Sequence, residues 1–228
     1  MVLHDLVGHI AEPGIFDREF GEAAIVFGID NGPAGCGHHF VELLLGIALV
    51  EFLRGACALD APVTGGPPGA EAGTLTIMVG GDRAEFDRAA PVLSKLGTTL
   101  SYFGAPGNGQ RAKLVNQVVA MQNIIGAIEG LFLARKAGLD GDTMLHTLQN
   151  GMADSKSLRN SAAKAIKDDF APNFNPAHVV KDLSLAIEEA DSLGLDLPGL
   201  KNARARWQEL IERFPNARAV QEIARLYM

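Results

Sequence analysis

The stretch GAPGNGQRAKLVNQVVAMQNIIGAIEGLFLARKAG, Gly104 to Gly138, decides how the rest of the chain is read. A glycine-rich turn feeds a long, mostly apolar segment with no proline after Pro106, so a helix is expected from about Gln110 to Lys136. Gly138 is a candidate to stop it. The first turns carry Lys113, Asn116 and Gln117. Their spacing, i, i+3 and i+4, sets the three side chains on one helical face. Beyond them that face turns apolar, with Ala120, Met121 and Ile124. A small polar cluster with one amine therefore stands at the entry of a helix built for burial. A partly desolvated lysine has a lowered pKa and can serve as general acid or base. Neighbouring amides can hydrogen-bond a substrate hydroxyl or carbonyl. The plainer alternative is a solvated lysine at a helix start.

Upstream of this stretch the chain alternates. Cys57–Val63 reads as a short apolar strand, and GGPPGAEAG after it as a loop. Thr74–Val79 (TLTIMV) is rich in β-branched residues and reads as a second strand. Asp82 is placed to cap a helix running to about Lys95, with Pro91 expected to kink or break it. Thr98–Phe103 forms a third strand, and strand–helix–strand at this spacing predicts a βαβ unit. Downstream the strands stop. Asp142 can cap a helix ending near Gly151, and further helices are expected over Ser155–Lys167, Ala177–Leu193, Gly199–Arg213 and Ala217–Leu226. The first 54 residues are less regular. Ala23–Gly28 can be a strand and Phe40–Arg54 a buried helix, with the breaker-rich GIDNGPAGCGHH between them.

Composition narrows the function classes. The 228 residues are 47% hydrophobic and 21% charged, ordinary for a chain with a proper core. A net charge of −7 argues against a nucleic-acid surface, which shows a basic patch. Two cysteines, Cys36 and Cys57, make no disulfide framework and point to a reducing compartment. There is no basic segment ahead of an apolar one, so no signal peptide is expected. The longest apolar run, Leu43–Val50, is far short of the roughly 20 residues of a membrane span. The expectation is a cytoplasmic protein without membrane or nucleic-acid partners.

Three motifs have competing readings. GNGQRA (Gly107–Ala112) fits the G-x-G-x-x-A dinucleotide fingerprint between a strand and a helix. The acidic residue expected about twenty positions on should close a second strand, but here that distance falls near Glu129 in the same helix. A plain interdomain turn is the stronger reading. Cys36, His38 and His39 could ligate zinc, yet adjacent histidines point apart and no second pair completes a tetrahedral set. No metal is expected. Lys181-Asp182, taken alone, is a solvated helix face.

Four segments in order resemble the β-hydroxyacid dehydrogenases, the family of 3-hydroxyisobutyrate dehydrogenase and tartronate semialdehyde reductase, relatives of 6-phosphogluconate dehydrogenase. They are DAPVTGGPPGAEAGTLTIMVGGD (Asp60–Asp82), GAPGNGQRAKLVNQ (Gly104–Gln117), EGLFLARKAGLD (Glu129–Asp140) and HVVKDLSLAIEEADSLGLDLP (His178–Pro198). The resemblance covers Gly55 to Pro198. It implies that Thr64, Gly65 and Gly66 hold a substrate carboxylate, with threonine where serine is common. It implies that Lys113 is the catalytic acid–base. Asn116 and Gln117 fall where the family places its substrate-orienting amide, and which of the two serves is open. Lys181, with Asp182 beside it, falls at a family lysine near the cofactor, NAD or NADP.

The implied fold is α/β: a partial Rossmann-type N-terminal part, then an all-α C-terminal domain with a long interdomain helix. Residues 1–54 are an atypical remnant, 55–104 the end of the nucleotide-binding domain and 105–228 the helical domain. The helical domain is expected to make homo-oligomers. The match departs from the family at the start, where residues 1–54 carry no G-x-G-x-x-G after a strand, which predicts a truncated chain. Two functions follow. One is an NAD(P)-dependent oxidoreductase acting on a small β-hydroxyacid or its semialdehyde. The other is a catalytically silent helical oligomerisation module.

Overall fold

The computed structural model describes Ala24–Val26 and residues 58–228. The expected helix over Phe40–Arg54 and the segment with Cys36, His38 and His39 lie outside the described residues, as does the rest of 1–57 apart from Ala24–Val26. Two compact units divide between Lys113 and Leu114, and each is considered by itself.

The first unit contains a five-stranded sheet. Strand β1 (Ala24–Val26) pairs in parallel with β2 (Ala58–Asp60). β2 and β3 (Val63–Thr64) both run antiparallel to β4 (Leu75–Gly81). Leu59 faces Gly81 and Thr64 faces Thr76, one continuous register. β2 and β3 are thus one strand interrupted at Ala61-Pro62, where proline has no N–H for the ladder. Pro62 still uses its carbonyl, which accepts from Met78 N at 2.9 Å. On the other edge β4 pairs in parallel with β5 (Gly97–Tyr102). Helix α2 (Arg83–Leu96) crosses between these two strands, the expected βαβ unit. Its Phe86, Ala89 and Leu93 close the core over Leu59, Ile77 and Val79.

Local chemistry explains the boundaries. The Asp82 carboxylate accepts from Ala84 N at 2.8 Å and Glu85 N at 3.2 Å, capping α2 as its position predicts. Pro91 neither breaks nor ends α2, which continues to Leu96. The proline lies on the exposed face, where the carbonyl it displaces meets water. The GGPPGAEAG segment is not a loop: helix α1 (Gly66–Glu71) forms there. Pro67 and Pro68 sit in its first turn, where a missing N–H loses nothing and a fixed φ favours the helix.

Helix α3 (Asn108–Lys136) begins in the first unit and ends in the second. It is long and apolar enough to cross a bilayer, a test that core helices also pass. From Met121 to Phe132 its buried face, with Ile124, Ile125, Ile128 and Leu131, lies in the core of the helical unit. Gly138 follows at φ 78°, the left-handed stop expected of it. Helix α4 (Gly141–Gln149) is capped by Asp140, not Asp142: Asp140 Oδ1 accepts from Thr143 N at 2.8 Å, and Asp142 lies in the first turn. A π-helical turn (Leu158–Ala162) runs into the short α5 (Ala163–Ala165). α6 (Pro176–Ser192), capped by Asn175, and α7 (Pro198–Arg213) pack together around Val179, Leu183, Leu200, Trp207 and Leu210.

The last segment is a 3-10 helix (Val220–Leu226), shorter than the helix expected from Ala217. Side chains compete for its first turn. Glu222 Oε1 accepts from Arg218 N at 2.7 Å and Ala219 N at 3.1 Å, while Asn173 Oδ1 accepts from Val220 N at 3.0 Å. Gln221, fully buried, donates to the carbonyls of Asp169 (3.2 Å) and Ala171 (3.0 Å) and accepts from Asn173 Nδ2 (2.6 Å).

Candidate active site

In the first unit the chemistry gathers where β2 and β3 meet the start of α3. Helix α3 has no acidic residue in its own first turn. Its anion comes from 47 and 50 positions upstream: Asp60 Oδ1 accepts from Gly107 N at 2.7 Å, and Oδ2 from Gln110 N at 2.9 Å. A carboxylate at this position satisfies two orphan N–H groups and opposes the positive end of the helix dipole. Two glycines permit the approach. A Cβ on Gly80 would stand 2.6 Å from Asp60 Oδ1 and 2.7 Å from Gly109 N. One on Gly109 would stand 2.6 Å from the carbonyl oxygens of both Asp60 and Met78.

This arrangement disposes of GNGQRA as a pyrophosphate cradle. The place a phosphate would take at this helix terminus is filled by the chain's own carboxylate. Among the described residues only Gly107 of GNGQRA precedes α3; Asn108–Ala112 form the helix's first residues, not the plain turn expected, and Asp60 clamps them to the sheet, so the motif does not fit the cofactor's phosphates.

One turn into the helix, half-buried Lys113 donates from Nζ to the carbonyl of Val63 at 2.8 Å. That bond spans 50 positions and holds the amine one residue from Thr64-Gly65-Gly66. Thr64 ends β3 half-buried. Gly65 (φ 136°) and Gly66 (φ 65°) then turn the backbone through conformations that side chains disfavour. Because Pro67 and Pro68 carry no N–H, Gly65 and Gly66 are the donors this turn has for an anion. An amine, a hydroxyl and two peptide N–H groups are thus collected in one unit, a set of donors suited to an anionic group.

The helical unit holds the other candidates. Asn116 Nδ2 donates to Gln117 Oε1 at 2.9 Å. Gln117 Nε2 donates to Asp182 Oδ2 at 2.6 Å. Lys181 Nζ lies 3.4 Å from Asp182 Oδ1. Gln117 is 4% exposed and Asp182 6%, whereas the Lys181 side chain is 48% exposed. The structure thus joins Asn116, Gln117, Lys181 and Asp182 into one chain of contacts. Sequence reasoning missed the link between Gln117 and Asp182, and it missed Asp60 as the cap. A helix start without an acid of its own was the available signal for the second. Among the described residues no three His, Cys, Asp or Glu side chains group as a metal site would.

Comparison with known proteins agrees with the order of these segments. The family model for the NAD-binding domain of NADP-dependent 3-hydroxyisobutyrate dehydrogenase matches residues 107–227. The NAD binding domain of 6-phosphogluconate dehydrogenase matches residues 52–104. The chain is 44% identical to 2-hydroxy-3-oxopropionate reductase of Escherichia coli over 140 residues, 61% of this chain and 48% of that protein. It is 39% identical to the probable 3-hydroxyisobutyrate dehydrogenase-like 1, mitochondrial, of Arabidopsis thaliana, over 72% of this chain and 49% of that protein. Among solved structures, 3-hydroxyisobutyrate dehydrogenase from Salmonella typhimurium superposes with a TM-score of 0.73 at 27% identity, over 79% of this chain and 64% of that one. The chain spans about half the length of these two curated relatives. With its helical half matched end to end and the last strands of its sheet matched before it, the chain belongs to the 3-hydroxyisobutyrate dehydrogenase, or β-hydroxyacid dehydrogenase, family.

Proposed function

We propose that the chain acts in NAD(P)-dependent oxidation of a small β-hydroxyacid, or reduction of its semialdehyde, with Lys113 as general acid–base. The observation that carries this reading is the 2.8 Å bond from Lys113 Nζ to Val63 O, which keeps the amine beside Thr64-Gly65-Gly66. In oxidation the neutral Lys113 amine takes the hydroxyl proton as the carbinol carbon gives up hydride. In reduction the ammonium returns that proton to the forming alkoxide. NAD or NADP, when bound, supplies the hydride acceptor or donor. Thr64 Oγ1 and the N–H groups of Gly65 and Gly66 receive the substrate carboxylate. Asn116 and Gln117 supply the amide function toward the substrate, and Lys181-Asp182 is assigned to the cofactor side.

Titration with NADH and NADPH, following cofactor fluorescence, tests the cofactor assignment. Turnover of 3-hydroxyisobutyrate and of tartronate semialdehyde tests the chemistry. Lys113→Ala is expected to lower kcat by about a thousandfold or more, since it removes the proton acceptor outright, with cofactor affinity retained. Unchanged turnover refutes the role given to Lys113, and absence of cofactor binding at millimolar concentration refutes the dehydrogenase reading for this chain.

A second reading, a helical module that self-associates, is favoured by one observation. Val115, Val119 and Leu133 stand exposed along α3, a face suited to a second copy of the chain. Sedimentation equilibrium distinguishes the two readings: self-association without cofactor binding favours the module, and both together favour an oligomeric dehydrogenase.

A further inference from the structure

Helix α3 does not cap itself. Asn108 opens it, yet its side chain is turned to other partners: Nδ2 donates to the carbonyl of Phe103 at 2.8 Å, and Oδ1 accepts from Arg111 Nη1 at 3.1 Å. The acceptors for the first N–H groups come from Asp60, whose two carboxylate oxygens take Gly107 N and Gln110 N, one each. Asp60 ends β2, and its ladder partner is Gly80. Because that partner has no Cβ, the carboxylate can lie against it on the way to the helix. Gly109 then sets the helix backbone against the carbonyls of Asp60 and Met78. The base of α3 is thus fixed to the sheet at main-chain distance, with no side chain at Gly80 or Gly109 to absorb a shift.

Lys113 follows Gln110 by three positions, on the same helical face. Its Nζ reaches the carbonyl of Val63, three residues past Asp60. Strand and helix therefore exchange partners at two points. At 60 a strand side chain binds helix N–H groups, and at 63 a helix side chain binds a strand carbonyl. The two points are unequal. A lysine head rides on a flexible four-carbon stem, and its one bond to a carbonyl does not fix the helix that carries it. A carboxylate with two charge-assisted bonds at the positive end of a helix does. Where the amine stands follows from where the helix base is held.

We propose that Asp60 is a positioning residue for Lys113: by fixing the base of α3 to the sheet, it sets the amine beside Thr64-Gly65-Gly66. Its bearing on a reaction rests on the dehydrogenase reading above. On this account Asp60 exchanges no proton and touches no substrate.

The direct test follows the 13Cε resonance of Lys113 in the full chain labelled with 13C-lysine, assigned by its loss in Lys113→Arg. Asp60→Asn keeps the shape of the side chain but leaves one of the two N–H groups without an acceptor, so the resonance is expected to move toward those of the exposed lysines. Asp82→Ala is the control. It removes the cap of α2 in the same unit, a loss of the same order, and the resonance is expected to stay. Asp60→Glu holds both oxygens one methylene further out. It is expected to move the resonance as well, and it carries the comparison if Asp60→Asn does not fold.

The second readout is steady-state turnover of 3-hydroxyisobutyrate. kcat is expected to fall about tenfold in Asp60→Asn, with KM for the hydroxyacid within about twofold, since a misplaced amine costs rate rather than ground-state binding. In the Lys113→Ala background, with methylamine supplied in place of the missing amine, Asp60→Asn is expected to cost nothing further, because no tethered amine is left to misplace. A resonance unmoved in Asp60→Asn, or moved as far in Asp82→Ala, overturns the positioning role. A moved resonance with unchanged kcat overturns its bearing on the reaction. An equal loss of kcat in both backgrounds overturns it too, in favour of an effect through the fold at large. A wild-type chain without turnover counts against the dehydrogenase reading only, and the resonance comparison still decides the positioning.

Discussion

The two units hold their candidate residues in different ways. In the sheet unit the backbone does the holding. Asp60 grips two peptide N–H groups, Lys113 grips a peptide carbonyl, and Gly80 and Gly109 let two main-chain segments approach to contact. In the helical unit side chains hold side chains, from Asn116 through Gln117 to Asp182 and Lys181. A site fixed by main chain tolerates few changes at its glycines. A site fixed by a side-chain relay tolerates exchange so long as donors still meet acceptors. The sheet unit should therefore fail abruptly under substitution, and the helical unit should be repairable.

The sharpest attack on that contrast is Gly80→Ala. Its Cβ would fall 2.6 Å from Asp60 Oδ1, 2.7 Å from Gly109 N and 2.9 Å from Ala105 O, and two of these belong to main chain. A loss of about 3 kcal/mol is expected in chemical unfolding, the upper range for overpacking, and no second substitution should readily restore it.

Gln221→Ala tests the helical side. It leaves the carbonyls of Asp169 and Ala171 and the amide of Asn173 without their buried partner, for about 2–3 kcal/mol. Gln221→Glu can still accept from Asn173 but sets a buried carboxylate oxygen against both carbonyls, so it should cost at least as much as Gln221→Ala; a milder loss would count against donor–acceptor matching as what holds this unit.

Asp60→Asn is milder. Asparagine offers one acceptor where two N–H groups converge, so one donor is orphaned and the charge at the helix terminus is lost, for about 1–2 kcal/mol.

The smallest effect is a pH limb. Burial holds the Tyr227 hydroxyl above its ordinary value near 10, with the hydrogen bond to Arg206 opposing and that to Glu129 adding. The folded state keeps this proton longer than the unfolded chain, so its contribution is intact below pH 10 and fades as pH rises through the folded value. Tyr227→Phe should flatten that alkaline limb in thermal melts and leave neutral stability little changed.

What could be read in advance follows the same division. β4, α2 and β5 were legible because β-branched runs and the Asp82 cap are local signals. Family motifs marked Thr64, Gly65, Gly66 and Lys113 as candidates, and the bond from Lys113 to the carbonyl of Val63 brings the lysine next to the other three in the chain. α1 was missed because proline and glycine signal a loop unless their place in a first turn is known. Asp140 lost to Asp142 by two positions, where either acid fits the pattern. The bond from Gln117 to Asp182 crosses 65 positions, and neither residue betrays its partner. Lys181-Asp182 looked like a solvated pair on its own, yet one member is buried and the other exposed, a split that adjacency on a helix allows but cannot announce.

The division between the units falls inside α3, not in a loop. A cut at that point would sever a continuous hydrogen-bonded rod rather than a tether. Recombination could not readily lend either half to another protein, and limited proteolysis should find no easy bond there. The amine at 113 and the amide at 116 are therefore inherited together, three residues apart on one rigid turn. Their spacing is set by helix geometry.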